Sequence, residues 1–115
     1  RLSSMGDGIN RILTIILAML NTKEGVLLID EFENGLHYSV QQKLWKVIFS
    51  LSRMLNIQVF VTTHSRDAIR AFVAENIEND GTFIRLERRK NKVVAVTYDN
   101  KEDLELVLEQ DIEIR

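Results

Sequence analysis

Residues 26–31, Val-Leu-Leu-Ile-Asp-Glu, decide how the rest of this 115-residue sequence is interpreted. Four apolar residues in a row that end in two carboxylates are typical of a fully buried strand in a parallel sheet. Ligands of open α/β sheets bind beyond the carboxyl ends of such strands. We therefore expect Asp30 and Glu31 to lie at a functional edge of the sheet, beside residues brought there from other parts of the chain.

A second strand is predicted at residues 57–61, and the polar residues Thr-Thr-His-Ser, which include His64, follow it directly. Between the two strands, apolar residues recur at helical spacing over residues 38–55 and predict an amphipathic helix. A strand–helix–strand order with a crossover of this length predicts parallel, neighbouring strands. Asp30, Glu31 and His64 would then share one edge of one sheet.

The segment before the first strand is apolar on nearly every side over residues 9–20. It predicts a helix that is buried in a larger body than this chain supplies. Residues 2–8, which are small and polar, predict a loop that opens this helix. After the two acids, Asn34 and Gly35 predict a turn, because both residue types tolerate positive φ. Glu33 is interpreted as a solvated residue or a turn residue.

The C-terminal part of the sequence changes pattern. Residues 66–78 predict a helix that Ser65 can cap. Two short strand-like runs, 82–88 and 93–98, flank a basic turn and predict a hairpin. Residues 101–110 predict a short final helix. The fold class expected from the whole chain is α/β, with parallel strands, flanking helices, a C-terminal hairpin and a short helix.

The composition is ordinary for a soluble globular domain and excludes several classes of protein. A net charge of −2 argues against a surface built wholly for nucleic acid, although the basic residues of the hairpin turn leave a local patch open. The absence of cysteine excludes disulfides and thiolate metal sites. No run of 18 apolar residues is present, so we expect no membrane segment and a cytoplasmic location.

The residue types at the predicted sheet edge suit magnesium-dependent nucleotide hydrolysis. One carboxylate can hold Mg²⁺, and a second carboxylate beside it can orient or deprotonate an attacking water molecule. A polar residue at the tip of the next strand can contact the γ-phosphate. Asp30, Glu31 and His64 fit these three roles in that order.

At these residues the chain resembles the C-terminal half of an ABC-type ATPase of the AAA family, in the branch that includes RecF-like, SMC-like and OLD-family proteins. Residues 26–31 resemble the Walker B strand, which implies that Asp30 is its metal-binding aspartate and Glu31 its catalytic glutamate. His64 is similar to the switch histidine. Residues 33–37, Glu-Asn-Gly-Leu-His, resemble the segment that this branch has where transporters have a D-loop, and they indicate an ATPase of DNA repair or phage defence.

Residues 2–8, Leu-Ser-Ser-Met-Gly-Asp-Gly, resemble the signature loop of these ATPases, which is usually Leu-Ser-Gly-Gly-Gln. Ser4 and Gly6 match, whereas Met5 replaces a glycine and Asp7 replaces the glutamine. The resemblance implies that Ser4, Gly6 and Asp7 bind the γ-phosphate of a nucleotide held by a partner subunit. It also implies ATP and Mg²⁺ as cofactors and a second ATPase head as partner, in a homodimer or a higher oligomer. Nucleic acid or a nuclease is left open as a further partner.

One motif of the family does not occur in these residues. The phosphate-binding Walker A loop, Gly-x-x-x-x-Gly-Lys-Ser/Thr, begins at none of the five glycines of the chain. We therefore expect residues 1–115 to form the C-terminal part of a single ABC-type ATPase domain, without its N-terminal phosphate-loop half. Alone, the chain is expected to bind nucleotide weakly and not to hydrolyse it.

Two other functions remain as alternatives. A non-catalytic module would dock its apolar helix at residues 9–20 on a partner. A metal-dependent hydrolase or nuclease would need no ATP and would bind its metal through a set of acids and histidines: Asp30, Glu31 and Glu33, with His64 or His37.

Overall fold

The computed structural model describes residues 2–98, and within them the side chains from residue 8 onward. The elements follow one another in the order α1 (Leu2–Leu20), β1 (Val26–Ile29), α2 (Tyr38–Leu55), β2 (Gln58–Val61), α3 (Arg66–Glu75), β3 (Phe83–Arg89) and β4 (Lys92–Tyr98). The architecture is α/β, with a small parallel sheet and a β-hairpin, and is compatible with part of a P-loop NTPase-like fold. The helix predicted at residues 101–110 lies outside the described residues.

β1 and β2 are neighbouring parallel strands, and the helix α2 lies between them in the chain. Val26 pairs with Gln58 at one end of the ladder, and Ile29 pairs with Val61 at the other. The prediction of adjacent parallel strands is therefore confirmed. Because both strands run in the same direction, the polar residues that follow them emerge at the same edge of the sheet.

The two faces of this sheet are covered very differently. The face that we call the packed face lies against the hydrophobic core and consists of Leu27, Ile29, Val59 and Val61. The opposite face, which we call the open face, carries Gln58 and the apolar residues Val26, Leu28 and Phe60, whose exposed fractions are 62%, 64% and 51%. The prediction of a fully buried first strand is thus wrong for residues 2–98, because no described element covers the open face.

An aromatic cluster forms the centre of the core. Trp45 of α2 stacks on Phe32, with ring centroids 4.2 Å apart, and meets Phe72 of α3 edge-on at 5.1 Å. The indole N–H of Trp45 donates a hydrogen bond of 3.0 Å to the carbonyl oxygen of Ala68. Aromatic contacts of this kind contribute about 0.5–1.5 kcal/mol beyond the burial of their area, and here they join α2, α3 and the turn after β1.

The first helix begins at Leu2 rather than at residue 9. Ser4, Gly6 and Asp7 therefore stand in the first turns of α1, and the predicted separate loop at these residues is wrong. No proline interrupts this stretch, and a glycine costs only about 1 kcal/mol relative to alanine in a helix. Once a helix is nucleated, each added residue gains one backbone hydrogen bond, so the helix extends through the small residues.

Only one side of α1 is buried. Ile15 and Met19 enter the core and are 4% and 0% exposed. The other side carries a row of exposed apolar residues, which we call the outer stripe: Ile9, Leu13, Leu17 and Leu20. Although α1 is the most apolar helix, no helix within residues 2–98 has the length and apolarity needed to cross a membrane.

The helix α3 is capped at its N-terminus as predicted but ends earlier than residue 78. The hydroxyl of Ser65 accepts a hydrogen bond of 3.2 Å from the backbone N–H of Ala68. Beyond Glu75, the buried side chain of Asn76 donates to the carbonyl oxygen of Gly81 and accepts from its N–H, both at 3.0 Å. These two bonds turn the chain away from the helix axis, and the helix therefore stops.

The predicted hairpin is confirmed. β3 and β4 are antiparallel, with Phe83 opposite Tyr98 at one end and Arg89 opposite Lys92 at the other. The connecting residues Lys90 and Asn91 have φ values of 46° and 66°, which is the backbone of a type I′ turn. The hairpin pairs with neither β1 nor β2, so its strands do not extend the parallel sheet.

Candidate active site

One buried aromatic residue anchors the turn after β1. Phe32 is 0% exposed and lies against Trp45, whereas Asp30 and Glu31 before it are exposed. Glu31 has a φ of 51°, in the left-handed region that costs a non-glycine residue about 1–3 kcal/mol. Such backbone strain persists only where surrounding contacts over-determine it, and it clusters at functional sites. The contacts that hold this turn come from β2 and α1.

Thr62, directly after β2, joins the tips of the two strands. Its hydroxyl donates a short hydrogen bond to Oδ1 of Asp30 and accepts one of 2.8 Å from the backbone N–H of Glu31. Its carbonyl oxygen accepts from the N–H of Phe32, and its own N–H donates to the carbonyl oxygen of Ile29, both at 2.9 Å. Thr62 thereby sets the orientation of the Asp30 carboxylate and supports the strained backbone of Glu31.

Arg11 ties the helix α1 to the same turn. Its guanidinium donates hydrogen bonds of 2.8 Å and 3.0 Å to the carbonyl oxygens of Asp30 and Glu31. Nearby, a side chain added at Gly8 would lie 3.6 Å from the carbonyl oxygen of Gly35, so α1 also passes close to the following turn. Arg11 is therefore engaged with the backbone of the site.

Glu33 lies in the turn, as predicted, and its carboxylate is engaged in hydrogen bonds there. One of its carboxylate oxygens accepts a short hydrogen bond from the hydroxyl of Thr63, and the other accepts a bond of 3.3 Å from the backbone N–H of His64. Burial alone would raise the pKa of the Glu33 carboxyl, but hydrogen bonds from Thr63 and from the backbone N–H groups of Glu33 and His64 outweigh it and lower the pKa. Glu33 is thus held as a carboxylate between the two strand tips.

The structure brings three of the predicted site residues to one edge. Asp30 and Glu31 follow β1, and His64, whose side chain is exposed, follows the adjacent end of β2. Sequence reasoning did not single out Thr62 and Thr63 as partners of the acids. The available signal was the pair of hydroxyl residues that directly follows a strand predicted to neighbour the acids.

The other predicted residues lie elsewhere. Ser4, Gly6 and Asp7 are in the first turns of α1, and their role toward a partner's nucleotide stays a prediction. His37 is the N-cap of α2, where its Nδ1 accepts a hydrogen bond of 3.3 Å from the backbone N–H of Ser39. His37 therefore has a structural task at the start of α2.

The oxygen ligands at this edge suit Mg²⁺ bound together with a nucleotide. Mg²⁺ prefers oxygen ligands, keeps several waters and uses one or two carboxylates along with substrate phosphates. The exposed carboxylate of Asp30, oriented by Thr62, is such a ligand. Among the described side chains, from residue 8 to residue 98, no three of histidine, aspartate or glutamate are placed to hold a metal ion by themselves.

Comparison with known proteins identifies the family. Residues 1–71 match the family described as "AAA domain, putative AbiEii toxin, Type IV TA system", and the chain belongs to it. Over 71 residues the chain is 39% identical to a protein of Helicobacter pylori (strain ATCC 700392 / 26695) named "ATP/GTP phosphatase". That similarity covers 59% of this chain and 19% of the relative, so the chain spans about a fifth of the relative's length. No solved structure matches.

Proposed function

We propose that this chain supplies the catalytic carboxylates of an ABC-type ATPase domain that hydrolyses ATP with Mg²⁺. The observation that carries this proposal is the meeting of Asp30, Glu31 and His64 at the carboxyl edge of two adjacent parallel strands. Membership of an AAA family and similarity to a protein named ATP/GTP phosphatase support nucleotide hydrolysis as the reaction class.

Each of the three residues has a distinct task in this proposal. Asp30 holds Mg²⁺, which when bound neutralises phosphate charge, and Thr62 keeps the Asp30 carboxylate in place. Glu31 orients the attacking water and accepts its proton, a task that suits an exposed carboxylate on a backbone held from both sides. His64 contacts the γ-phosphate from the tip of β2 and stabilises its developing charge.

A further segment that carries the phosphate-binding loop is part of the proposal. The 115 residues contain no Walker A motif, and the chain corresponds to only 19% of its relative. Parallel sheets are normally covered on both faces, whereas the open face of Val26, Leu28 and Phe60 is bare within residues 2–98. A two-stranded sheet is also marginal by itself, so additional strands beside β1 and β2 would stabilise it.

The remaining parts of the proposal come from the resemblance to ABC-type ATPases. Two ATPase heads would enclose ATP between them, and the start of α1, with Ser4, Gly6 and Asp7, would face the nucleotide of the other head. Backbone N–H groups at a helix start favour bound anions, which supports this placement. The segment at residues 33–37 supports a setting in DNA repair or phage defence, with nucleic acid or a nuclease as a further partner.

The test is ATP turnover by a fusion of this chain with a segment carrying the phosphate-binding loop. Glu31→Gln removes the proton acceptor, and a general base is worth about 10²–10⁴-fold, so turnover should fall by that factor. ATP binding should persist, because the substitution leaves the metal ligand Asp30 in place. Glu78→Gln serves as the matched control, since Glu78 is exposed and follows the opposite end of α3. Turnover that is indifferent to Glu31→Gln would refute the proposal.

A further inference from the structure

Two acid–threonine pairs connect the tips of β1 and β2, and the proposed function uses only one of them. Asp30 pairs with Thr62, and Glu33 pairs with Thr63. The two acids stand on successive parts of one turn, and the two threonines are adjacent in the chain. Asp30 has a proposed role as a metal ligand. Glu33 has no proposed role, although both oxygens of its carboxylate accept hydrogen bonds.

The contacts of Glu33 converge on the residue that carries the proposed γ-phosphate contact. One oxygen binds the hydroxyl of Thr63, and the other lies 3.3 Å from the backbone nitrogen of His64. The Thr63 hydroxyl also accepts a hydrogen bond of 3.1 Å from the N–H of Ser65, the cap of α3. The chain on both sides of His64 is therefore tied to a single carboxylate.

Glu33 itself stands on a supported turn. The amide of Gln41, a buried residue of α2, donates a hydrogen bond of 3.2 Å to the carbonyl oxygen of Leu36. Gly35 adopts a φ of 76°, which lets the chain close this turn without side-chain strain. A carboxylate on a turn braced from α2 is a fixed reference point, and hydrogen bonds to ionised groups are about twice as strong as neutral ones.

We propose that Glu33 is a positioning residue. Through the Thr63 hydroxyl and the His64 N–H, its carboxylate holds the backbone of His64 level with Asp30 and Glu31 at the carboxyl end of β1. The proposal rests on the proposed ATPase function for its catalytic consequence, because His64 must be in register with the acids to meet the same phosphate. It does not require Glu33 to touch the nucleotide or the metal.

The first readout needs no activity. In the 115-residue chain, amide hydrogen exchange at His64 should accelerate about tenfold or more in Glu33→Ala, because the acceptor of that N–H is removed. Thr63→Val should accelerate it as well, whereas Thr63→Ser, which keeps the hydroxyl, should not. Glu78→Ala is the control for a general loss of stability. Unchanged exchange at His64 in Glu33→Ala and Thr63→Val would overturn the proposal.

The second readout uses the fusion that hydrolyses ATP. A misplacement of about 1 Å can cost on the order of 10²-fold in rate, so Glu33→Ala should lower kcat by about 10- to 100-fold with little change in KM for ATP. Thr63→Val should lower kcat as well, whereas Thr63→Ser, which keeps the hydroxyl, should retain the wild-type kcat. A rise of KM for ATP in Glu33→Ala without a fall of kcat would overturn the positioning role.

The two proposals fail in distinguishable ways. A wild-type fusion without turnover contradicts the ATPase function, and the exchange rate of the His64 amide then still decides whether Glu33 holds that residue. A fusion that is active, sensitive to Glu31→Gln and insensitive to Glu33→Ala keeps the ATPase function and overturns the role of Glu33.

Discussion

The packed face and the open face of the β1–β2 sheet both carry large apolar side chains but have opposite surroundings. Ile29, on the packed face, is 5% exposed, while its neighbour Leu28, on the open face, is 64% exposed. Fully burying a side chain of this size is worth about 1.5–3 kcal/mol. The apolar run of β1 is therefore suited to a sheet that is covered on both faces, and within residues 2–98 only the packed face is covered. A cover over the open face would therefore add to the stability of the sheet.

The largest expected effect sharpens this comparison with two adjacent substitutions. Ile29→Ala removes a side chain from the core and should lower the free energy of unfolding by about 2–5 kcal/mol. Leu28→Ala removes an exposed side chain and should change it by about 0.5 kcal/mol or less. Urea denaturation of the 115-residue chain measures both. Equal losses would mean that the open face is covered in solution.

The same pair can also be measured in the fusion that supplies the phosphate-binding segment. If that segment covers the open face, Leu28→Ala should there become as costly as other buried leucine truncations, about 2–5 kcal/mol. A value that stays near zero would show that the added segment lies elsewhere.

A smaller effect is expected on the core side, at Gly81. A β-carbon at this position would lie 2.7 Å from an atom of the Phe72 ring and 3.2 Å from the Phe49 ring. Gly81→Ala should therefore force these stacked rings apart and destabilise the fold by about 1–3 kcal/mol. Gly8→Ala is the control, since Gly8 lies in α1, where the new atom meets only ordinary contact and alanine gains about 0.5–1 kcal/mol. A melting temperature that falls equally in both variants would contradict the packing argument.

At the carboxyl edge of the sheet, Thr62→Val should lower the free energy of unfolding by about 1–1.5 kcal/mol. The substitution removes the donor to Asp30 and the acceptor of the Glu31 N–H, while it preserves the shape of the side chain. Thr62→Ser keeps the hydroxyl and should lose less than half as much. Denaturant unfolding of the two variants side by side gives the difference, and a loss in Thr62→Ser as large as that in Thr62→Val would contradict a dominant role of the hydroxyl.

The smallest expected effect is the pH dependence that Glu33 contributes. Hydrogen bonds lower the pKa of its carboxyl below the usual 4.5 despite burial. Because the folded pKa lies below the unfolded one, the carboxylate stabilises the fold above pH 4.5, and this contribution is lost as the pH falls through the folded pKa. Wild type should therefore exceed Glu33→Gln in free energy of unfolding by about 1 kcal/mol near neutral pH, and the gap should close in acid.

Comparing the two proteins isolates Glu33, because the other charged groups near the strand tips, Asp30, Glu31 and His64, are the same in both. A gap that stays constant as the pH falls would show that the difference comes from the shape of the side chain and not from its charge.

Much of the fold could be predicted from the order and spacing of residues. The bounds of α2, the parallel pairing of β1 with β2, the Ser65 cap and the hairpin follow from helical periodicity, crossover length and turn chemistry. The predicted start of α1 was wrong, because small residues that are typical of a loop can also continue a helix where no proline interrupts it. The predicted burial of β1 was wrong on one face. An apolar strand indicates that covering both of its faces would be favourable, but it does not indicate whether the described residues cover them.

The candidate site divides along the same line. Asp30, Glu31 and His64 were predictable, because each directly follows an apolar strand and parallel strands end at one edge. The pairings of Asp30 with Thr62 and of Glu33 with Thr63 were not, because each joins residues about thirty positions apart, whose contact depends on strand register.

By itself, the sequence determined the elements, their parallel order and the acids at the strand tips, since these depend on local periodicity and on the direction of the chain. Only the tertiary structure decided which face of the sheet is covered, which residues anchor the strained Glu31, and that Glu33 accepts a hydrogen bond from the backbone N–H of His64. The physical reason is that hydrogen bonds and packing between distant segments depend on distances of a few tenths of an ångström, which residue spacing does not encode.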